Sequence, residues 1–569
     1  MKHLRTILWM GLALVLLLNF QTWNAEFGPR DAAAAAAAAE AAKVQDSTNP
    51  LSTSLPTELP TSSAATQAAS SSAPAANPAP TALPPGPILN VRTDVLDVDI
   101  NLRGGELRRA DLLEYRVTKG EATPVRLLRG NGNGDEYLLQ TGLMSAGGAN
   151  NEAFPTHNAL FTCEFKGFVL DSSLDELRVP LKWTSPEGIE VTKTLVFHRG
   201  SYRIDVEYEV KNPTAAAWSA TPYAQILHDK PVTLRSMSNY FNTETYSFTG
   251  PVYWDGKKYT KLKIANKEDA ALNREVSDGW LASLEHHFVT AVVPSPGEKH
   301  RFTLQVRGQQ YLARDRGPAV TVAAGSTGSI KQTLFVGPKL HAQLKPIHPE
   351  LERAADFGVL NFLSQPLFMV LSWMHKFFNN WGLAIIAVTI LLKLVLYPFS
   401  EASGRSMAKM KLVAPRMKQL QETYKDDRAK LGQAMMELYK KEKVNPAAGC
   451  LPQLLQIPVF MAFYWVLLES VEMRQAPFFG WLQDLSSRDH FFILPLIMAG
   501  AMFLQFKMSP PPADPAQAKV MMIMPVLMSV TFAFLPSGLV LYYAVNTLLT
   551  VAQQWNISRR IEASANSRN

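Results

Sequence analysis

The stretch Ala384-Ile-Ile-Ala-Val-Thr-Ile-Leu-Leu-Lys393-Leu-Val-Leu-Tyr397 sets one lysine inside an otherwise apolar run. A run of this kind is a candidate membrane-crossing helix. A lysine within it costs up to roughly 3 kcal/mol on insertion scales, so such a residue snorkels to the interface or faces a partner or a watery cavity. At a rise of about 1.5 Å per residue, Lys393 lies about 10 Å from the end of the run at Ser400. The one carboxylate in any candidate span, Glu469, stands at the far end of its own span, so the sequence offers Lys393 no resident counter-ion. Two readings stay open. Either the lysine snorkels to the cytoplasmic interface, or it presents one unpaired positive charge to a guest in a wet cavity open to the inside.

Working outward, the run is the first of five candidate spans, at about 383–399, 449–470, 491–506, 520–535 and 538–555. Several are short for a bilayer crossing, and they hold Pro452, Pro458, Pro495 and Pro525, which membrane helices tolerate. Residues 351–380 are apolar but interrupted by Arg353, Asp356, Pro366, His375 and Lys376, as expected of a helix lying along the interface.

The first half of the chain reads differently. Met1-Lys2-His3-Leu4-Arg5 precedes an apolar run from Ile7 to Leu18, read over 1–24 as an uncleaved anchor in preference to a signal peptide, since only Ala25 suits a cleavage site. Residues 25–87, with an unbroken alanine run from Ala32 to Ala39, form a linker that buries too little apolar surface to offset its ordering entropy. From 88 to 345 the period becomes two. Leu96, Val98, Ile100 and Leu102 alternate with polar residues until Gly104-Gly105, and the pattern recurs over Tyr202–Val210 and at Phe302, Leu304 and Val306. Such half-buried strands between Gly, Pro and Asn turns indicate an antiparallel sandwich.

Charge gives orientation. Residues 400–448 carry eleven Lys/Arg against six acids, whereas 471–490 have only Arg474 and Arg488 as cations. With the N-terminus cytoplasmic, the β domain is exported, and the basic loop and the tail 557–569 stay inside, as the positive-inside rule requires. Within the basic loop, Met407, Met410, Val413, Met417, Leu420 and Tyr424, then Leu431, Met435 and Leu438, mark a helical hairpin over 401–446 with a coiled-coil-like seam. Sixteen of the 20 methionines lie between Met369 and Met528, and flexible thioethers suit surfaces that accept varied apolar guests.

The whole chain has 569 residues, 47% apolar and 18% charged, with net charge +7 and mean hydropathy −0.03. That mean averages a polar exported half and an apolar membrane half. Two cysteines exclude a disulfide scaffold and a multi-cysteine metal site, and the topology separates Cys163 from Cys450, so both are expected as free thiols. The spans hold no Ser/His pair, no paired carboxylates and no metal-motif histidines, and no nucleotide motif occurs; no enzyme activity, cofactor, metal or specific nucleic-acid site is expected. Beside Lys393, Thr389 shares its helix face four residues earlier, and Gln453, Gln456, Gln505, Tyr542, Tyr543 and Asn546 are polar candidates on other spans.

Asn380-Trp-Gly382, Glu442-Lys-Val-Asn-Pro-Ala-Ala-Gly-Cys-Leu-Pro452, Val471-Glu-Met-Arg-Gln-Ala-Pro477, Lys507-Met-Ser-Pro510 and Leu535-Pro-Ser-Gly-Leu-Val-Leu-Tyr-Tyr543 together resemble the YidC family of membrane protein insertases over about 350–560. The resemblance implies a multi-domain membrane protein of the Gram-negative inner membrane. Its parts are an N-terminal anchor helix, a periplasmic antiparallel β-supersandwich, and a five-helix transmembrane insertase core over 381–556 with a cytoplasmic helical hairpin. It implies a hydrophilic groove, open to cytoplasm and lipid, whose single positive charge falls at Lys393, with Thr389, Tyr543 and Gln505 lining it and Phe460, Ile457 and Met461 as apolar substrate contacts. Many members carry arginine at the Lys393 position, so the charge is kept while bidentate carboxylate binding is lost. Arg405, Lys409, Lys411, Arg559 and Arg560 inherit ribosome docking or substrate reception. The partners implied are nascent membrane proteins, the Sec translocon and its accessory subunits, the ribosome and anionic lipids. The rival is a secondary transporter using Lys393 as a solute or proton site; paired inverted repeats would mark it, and the five core spans show none.

Overall fold

The computed structural model describes residues 86–130, 135–147, 153–229, 247–424, 427–442, 451–509 and 515–566. The anchor, most of the linker, Lys425, Lys443 and Cys450 lie outside the described residues. The chain divides into a β unit and a helical unit, and the helical unit takes in Ser247, Lys339–His341 and everything from Ala355 onward.

With strands numbered in chain order, the described residues of the β unit form two sheets. The first runs β13 (Asn273–Ser277), β16 (Lys299–Arg307), β17 (Gln310–Arg316), β10 (Trp218–Asp229), β5 (Tyr137–Ser145), β3 (Glu106–Arg116), β2 (Leu96–Asn101), β1 (Ile88–Arg92) and β6 (Gly167–Val169). To it β18 (Val320–Val322) adds beside β10 and β4 (Pro124–Leu128) beside β3. The second runs β12 (Tyr259–Lys261), β11 (Gly250–Trp254), β14 (Trp280–Leu284), β15 (Phe288–Val293), β19 (Thr327–Pro338), β9 (Arg203–Lys211), β8 (Glu190–His198) and β7 (Glu176–Thr184). The period of two becomes burial directly: Ile204, Val206, Tyr208 and Val210 of β9 are buried while the residues between them face outward. One correction applies to the antiparallel expectation, because β1 pairs with β6 in parallel, Asn90 opposite Gly167. Cys163 is a free thiol.

Gly104-Gly105, which ends the alternation of β2, has a positional reason. Both glycines are left-handed, with φ +76° and +57°, and a Cβ on Gly104 would fall 2.3 Å from the His157 carbonyl oxygen. Their carbonyls turn inward to meet Lys193 of β8, which is fully buried. Its Nζ donates to Gly104 O at 2.7 Å, Gly105 O at 3.0 Å and Thr141 O at 3.2 Å, using all three ammonium donors. It also lies over the rings of Phe161 and Tyr208.

Burial pushes the Lys193 amine from 10.5 down to about 7. Between those values the unfolded chain binds the proton more readily. The group therefore makes stability rise from about pH 7 toward pH 10.5, by up to about 1.4 kcal/mol per pH unit, and adds no slope below pH 7. Thermal unfolding followed by tryptophan fluorescence checks this: the wild-type midpoint rises relative to Lys193→Met over that window, and parallel curves would contradict it.

The helical unit contains α1 (Asn361–Phe378), α2 (Trp381–Val395), α3 (Tyr397–Thr423), α4 (Arg428–Lys441), α5 (Leu451–Glu469), α6 (Ile493–Met508), α7 (Pro515–Phe532) and α8 (Ser537–Asn566). α8 packs against α2, α3, α5 and α6, so it is the common wall of the bundle. Ile385 and Val388, Phe463 and Val466, Met498, and Val540 and Tyr542 meet in one core.

Three boundaries differ from the sequence expectations. The interfacial helix begins at Asn361 rather than 351, because Leu351 and Ala354 sit in a 3-10 turn whose side chains join the sandwich core. The first span breaks at Leu396, where α2 and α3 meet at 68°; Pro398 suits the first turn of a new helix better than the interior of an old one. The last span and the basic tail are one helix, α8, of 30 residues. Among the described residues no single helix is long and apolar enough to cross a membrane alone, and the bent pair α2 and α3 passes that test together by length and composition.

α1 is apolar on two sides. Ser364, Leu367, Phe368 and Leu371 are buried, while Phe362, Trp373 and Phe377 are 76%, 64% and 78% exposed on the opposite face.

Candidate functional site

One end of the bundle is closed by the loop 470–492. Met473, Ala476, Leu482 and Leu485 of this loop belong to the helical core. Asn380 caps α2 by accepting from Leu383 N at 3.0 Å and donates to Phe478 O at 3.3 Å. A Cβ on Gly382 would fall 2.0 Å from the Phe478 ring, so only glycine lets the loop approach α2 this closely. Asp489 accepts from Leu494 N at 2.8 Å at the start of α6. Ser537 N donates to Ser487 O at 2.6 Å and Gly538 N to Leu485 O at 2.9 Å, fixing the start of α8. The motifs around Asn380 and Leu535 thus build joints at the capped end.

Lys393 lies on α2 well away from that cap. Its Nζ donates to Thr550 Oγ1 of α8 at 2.7 Å. The Thr550 hydroxyl donates in turn to Asn546 O at 2.7 Å, and Asn546 Oδ1 accepts from Gln456 Nε2 of α5 at 3.0 Å. Counted at about 1.5 Å per residue from the capped ends of their helices, Lys393, Thr550 and Gln456 fall at about 18, 20 and 20 Å. Three helices therefore bring polar groups to one depth. Among the described residues no carboxylate pairs with Lys393. The sequence does not single out Thr550, since a threonine on an apolar helix carries no signal until its neighbour is known.

The other sequence-read residues fall into three groups. Thr389 is 1% exposed and its hydroxyl donates back to Ile385 O at 2.6 Å, so its one proton is spent within α2. Tyr543 and Phe460 lie together, ring centroids 5.6 Å apart, and Phe532 is 4.8 Å from Tyr543. Tyr542 stacks on Phe463 at 4.5 Å. Ile457 is exposed, whereas Gln505 and Met461 are half-buried.

The hairpin helices α3 and α4 meet through Val413, Met417 and Met435, with Met410, Leu431, Leu438 and Tyr439 around them. Lys409 and Lys411 are exposed on α3, and Arg405 pairs with Glu401 at 2.6 Å. Arg559 lies over Trp555, and Arg560 is exposed beside it on α8.

Glu469, at the capped end of α5, has a partner of its own. Lys339 Nζ is 3.8 Å away and Ser247 Oγ donates to it at 2.6 Å, with the Lys339 and Glu469 side chains 3% and 8% exposed. The one carboxylate in a candidate span is therefore held by Lys339 and not by Lys393.

Residues 88–370 match the model of the YidC periplasmic domain and 373–564 that of the 60 kDa inner membrane protein family. The chain is 44% identical over 574 residues to the membrane protein insertase YidC of Thioalkalivibrio sulfidiphilus, covering 99% of both chains. To the protein of the same name from Pseudomonas aeruginosa it is 39% identical, again covering 99% of both. A crystal structure of an active YidC insertase, with its first transmembrane domain resolved, matches 82% of this chain and 94% of its own, at 19% identity and TM-score 0.38.

Proposed function

The chain belongs to the YidC family of membrane protein insertases, and from that premise we propose how its helical unit carries an incoming segment. α2, α5, α6, α7 and α8 cross the inner membrane, with the loop 470–492 outside and α3, α4 and the end of α8 in the cytoplasm. The β unit is periplasmic, and α1 lies along the outer interface with Phe362, Trp373 and Phe377 in lipid. The eleven cations of residues 400–448 support this orientation.

The observation that carries the mechanism is the polar group at Lys393, Thr550, Asn546 and Gln456, set about 18–20 Å below a sealed end. A short polar tail enters from the cytoplasm, and the Lys393 ammonium attracts its acidic residues and offsets part of their desolvation cost. The following hydrophobic helix passes into lipid along exposed apolar faces such as Ile390 and Leu394 of α2 and Leu504 of α6. α2 and α6 are only about 22 and 24 Å long against a hydrocarbon core of about 30 Å, which supports a locally thinned bilayer and a shorter dry path. Partitioning of the apolar helix and the membrane potential, about 2.3 kcal/mol per charge per 100 mV, drive the tail outward. Exposed Lys409, Lys411 and Arg560 receive ribosomes or substrates and contact anionic lipid headgroups, and the Sec translocon is the partner for larger substrates.

Purified chain in vesicles tests this reading. A small single-span substrate with an acidic tail, added without nucleoside triphosphate, becomes protease-protected on the tail side. Solute uptake with no such protection would point to a transporter instead.

A further inference from the structure

We propose that Thr550 is a positioning residue for Lys393, holding its ammonium against α8 while leaving two of its three N–H donors for a carboxylate of the incoming chain. The proposal rests on the reading of Lys393 as the charge that receives acidic tails.

The hydrogen-bond directions carry the argument. A threonine hydroxyl has one proton, and that of Thr550 is spent on Asn546 O at 2.7 Å. Its oxygen can then only accept, and the group it accepts from is the Lys393 ammonium at 2.7 Å. The hydroxyl is so oriented that it favours a cation and offers nothing to an anion. The Asn546 carbonyl is fixed by the backbone of α8, and its side-chain Oδ1 accepts from Gln456 Nε2 at 3.0 Å. The chain of donors runs from Lys393 on α2 through Thr550 to the Asn546 backbone carbonyl of α8, and Gln456 of α5 holds the Asn546 side chain beside it.

Lysine needs such a brace. Its charge rides on a flexible four-carbon stem and, unheld, reaches toward the nearest water. Ordering that stem before a substrate arrives removes an entropy cost from the encounter. The same back-bond occurs at Thr547, to Tyr543 O, and at Thr389, to Ile385 O, but those two side chains are 3% and 1% exposed. Of the three threonines, Thr550 is the one whose acceptor side meets a charge.

The test compares Thr550→Val, close in shape but without the acceptor, with Thr550→Ser, each alone and in a Lys393→Leu background. Insertion of two single-span substrates, one with an acidic and one with a neutral tail, is normalised to the folded chain in the membrane. Thr550→Val lowers acidic-tail insertion by about tenfold, the scale of one hydrogen bond to a charged group, and spares the neutral tail. Thr550→Ser retains both, and Thr550→Val adds no further loss to Lys393→Leu. Equal loss on both tails, or no loss on the acidic one while Lys393→Leu is impaired, overturns the role of Thr550 alone. Wild-type insertion of acidic tails by Lys393→Leu removes the underlying reading as well.

Discussion

Lys393→Leu inserts a substrate with an acidic tail about tenfold to a hundredfold less well than the wild type, and a neutral-tail substrate at nearly the same rate. The range follows from removing one charge-assisted hydrogen bond in a partly desolvated place, about 1.5–3 kcal/mol. The polar groups that share the Lys393 hydrogen-bond chain, Thr550, Asn546 and Gln456, are neutral and do not replace the charge. Lys393→Arg retains insertion because charge and reach survive, although the guanidinium must find a new fit against the single Thr550 oxygen. Pulse-labelled insertion with paired substrates differing only in tail charge reads this out. Equal activity of the leucine variant on both tails would remove the electrostatic step.

Lys339→Met destabilises the helical unit by about 3–5 kcal/mol, because it removes the cation beside the buried Glu469 carboxylate, which also accepts from Ser247 Oγ. The carboxylate also stands at the C-terminal end of α5, where the helix dipole disfavours negative charge, so it depends on its cation all the more. A double change, Lys339→Met with Glu469→Leu, recovers most of the loss, since a buried pair replaced by apolar side chains is often close to neutral. Thermal stability of the purified chain checks both: the single variant falls on the order of ten degrees and the double returns toward wild type. Additive losses would show that the two residues act separately.

Much of this architecture is legible in local sequence because its causes are local. The alternation through Leu96–Asn101 and Arg203–Lys211 reports which face of a strand is covered, and the structure buries the alternate residues. The hairpin seam is equally direct, since Val413, Met417 and Met435 recur at helical spacing and do meet. Lys393 stands out because a charge in an apolar run is conspicuous in one dimension.

What sequence hides is pairing between distant segments. Thr550 and Thr547 look alike on α8, and only the approach of α2 selects one of them. Glu469 reads as a carboxylate without a cation until the fold brings Lys339 to it. The break at Leu396 is written in Pro398, but an apolar run on both sides of it masks the turn. The motifs at Asn380 and Leu535 identify a family without stating their work, which is to cap helices and admit Phe478 against Gly382.

In the proposed route an acidic tail passes beside Lys393 between α2, α5 and α8. Photo-crosslinkers placed singly at Gln456, Tyr543 and, as lipid-facing controls, at Leu496 and Ile523 test it on a ribosome-stalled single-span substrate. The controls are 69% and 62% exposed on α6 and α7. The tail is expected to crosslink at positions 456 and 543 and not at 496 or 523. Tail crosslinks of equal strength at the control positions, or none at 456 and 543, would contradict it.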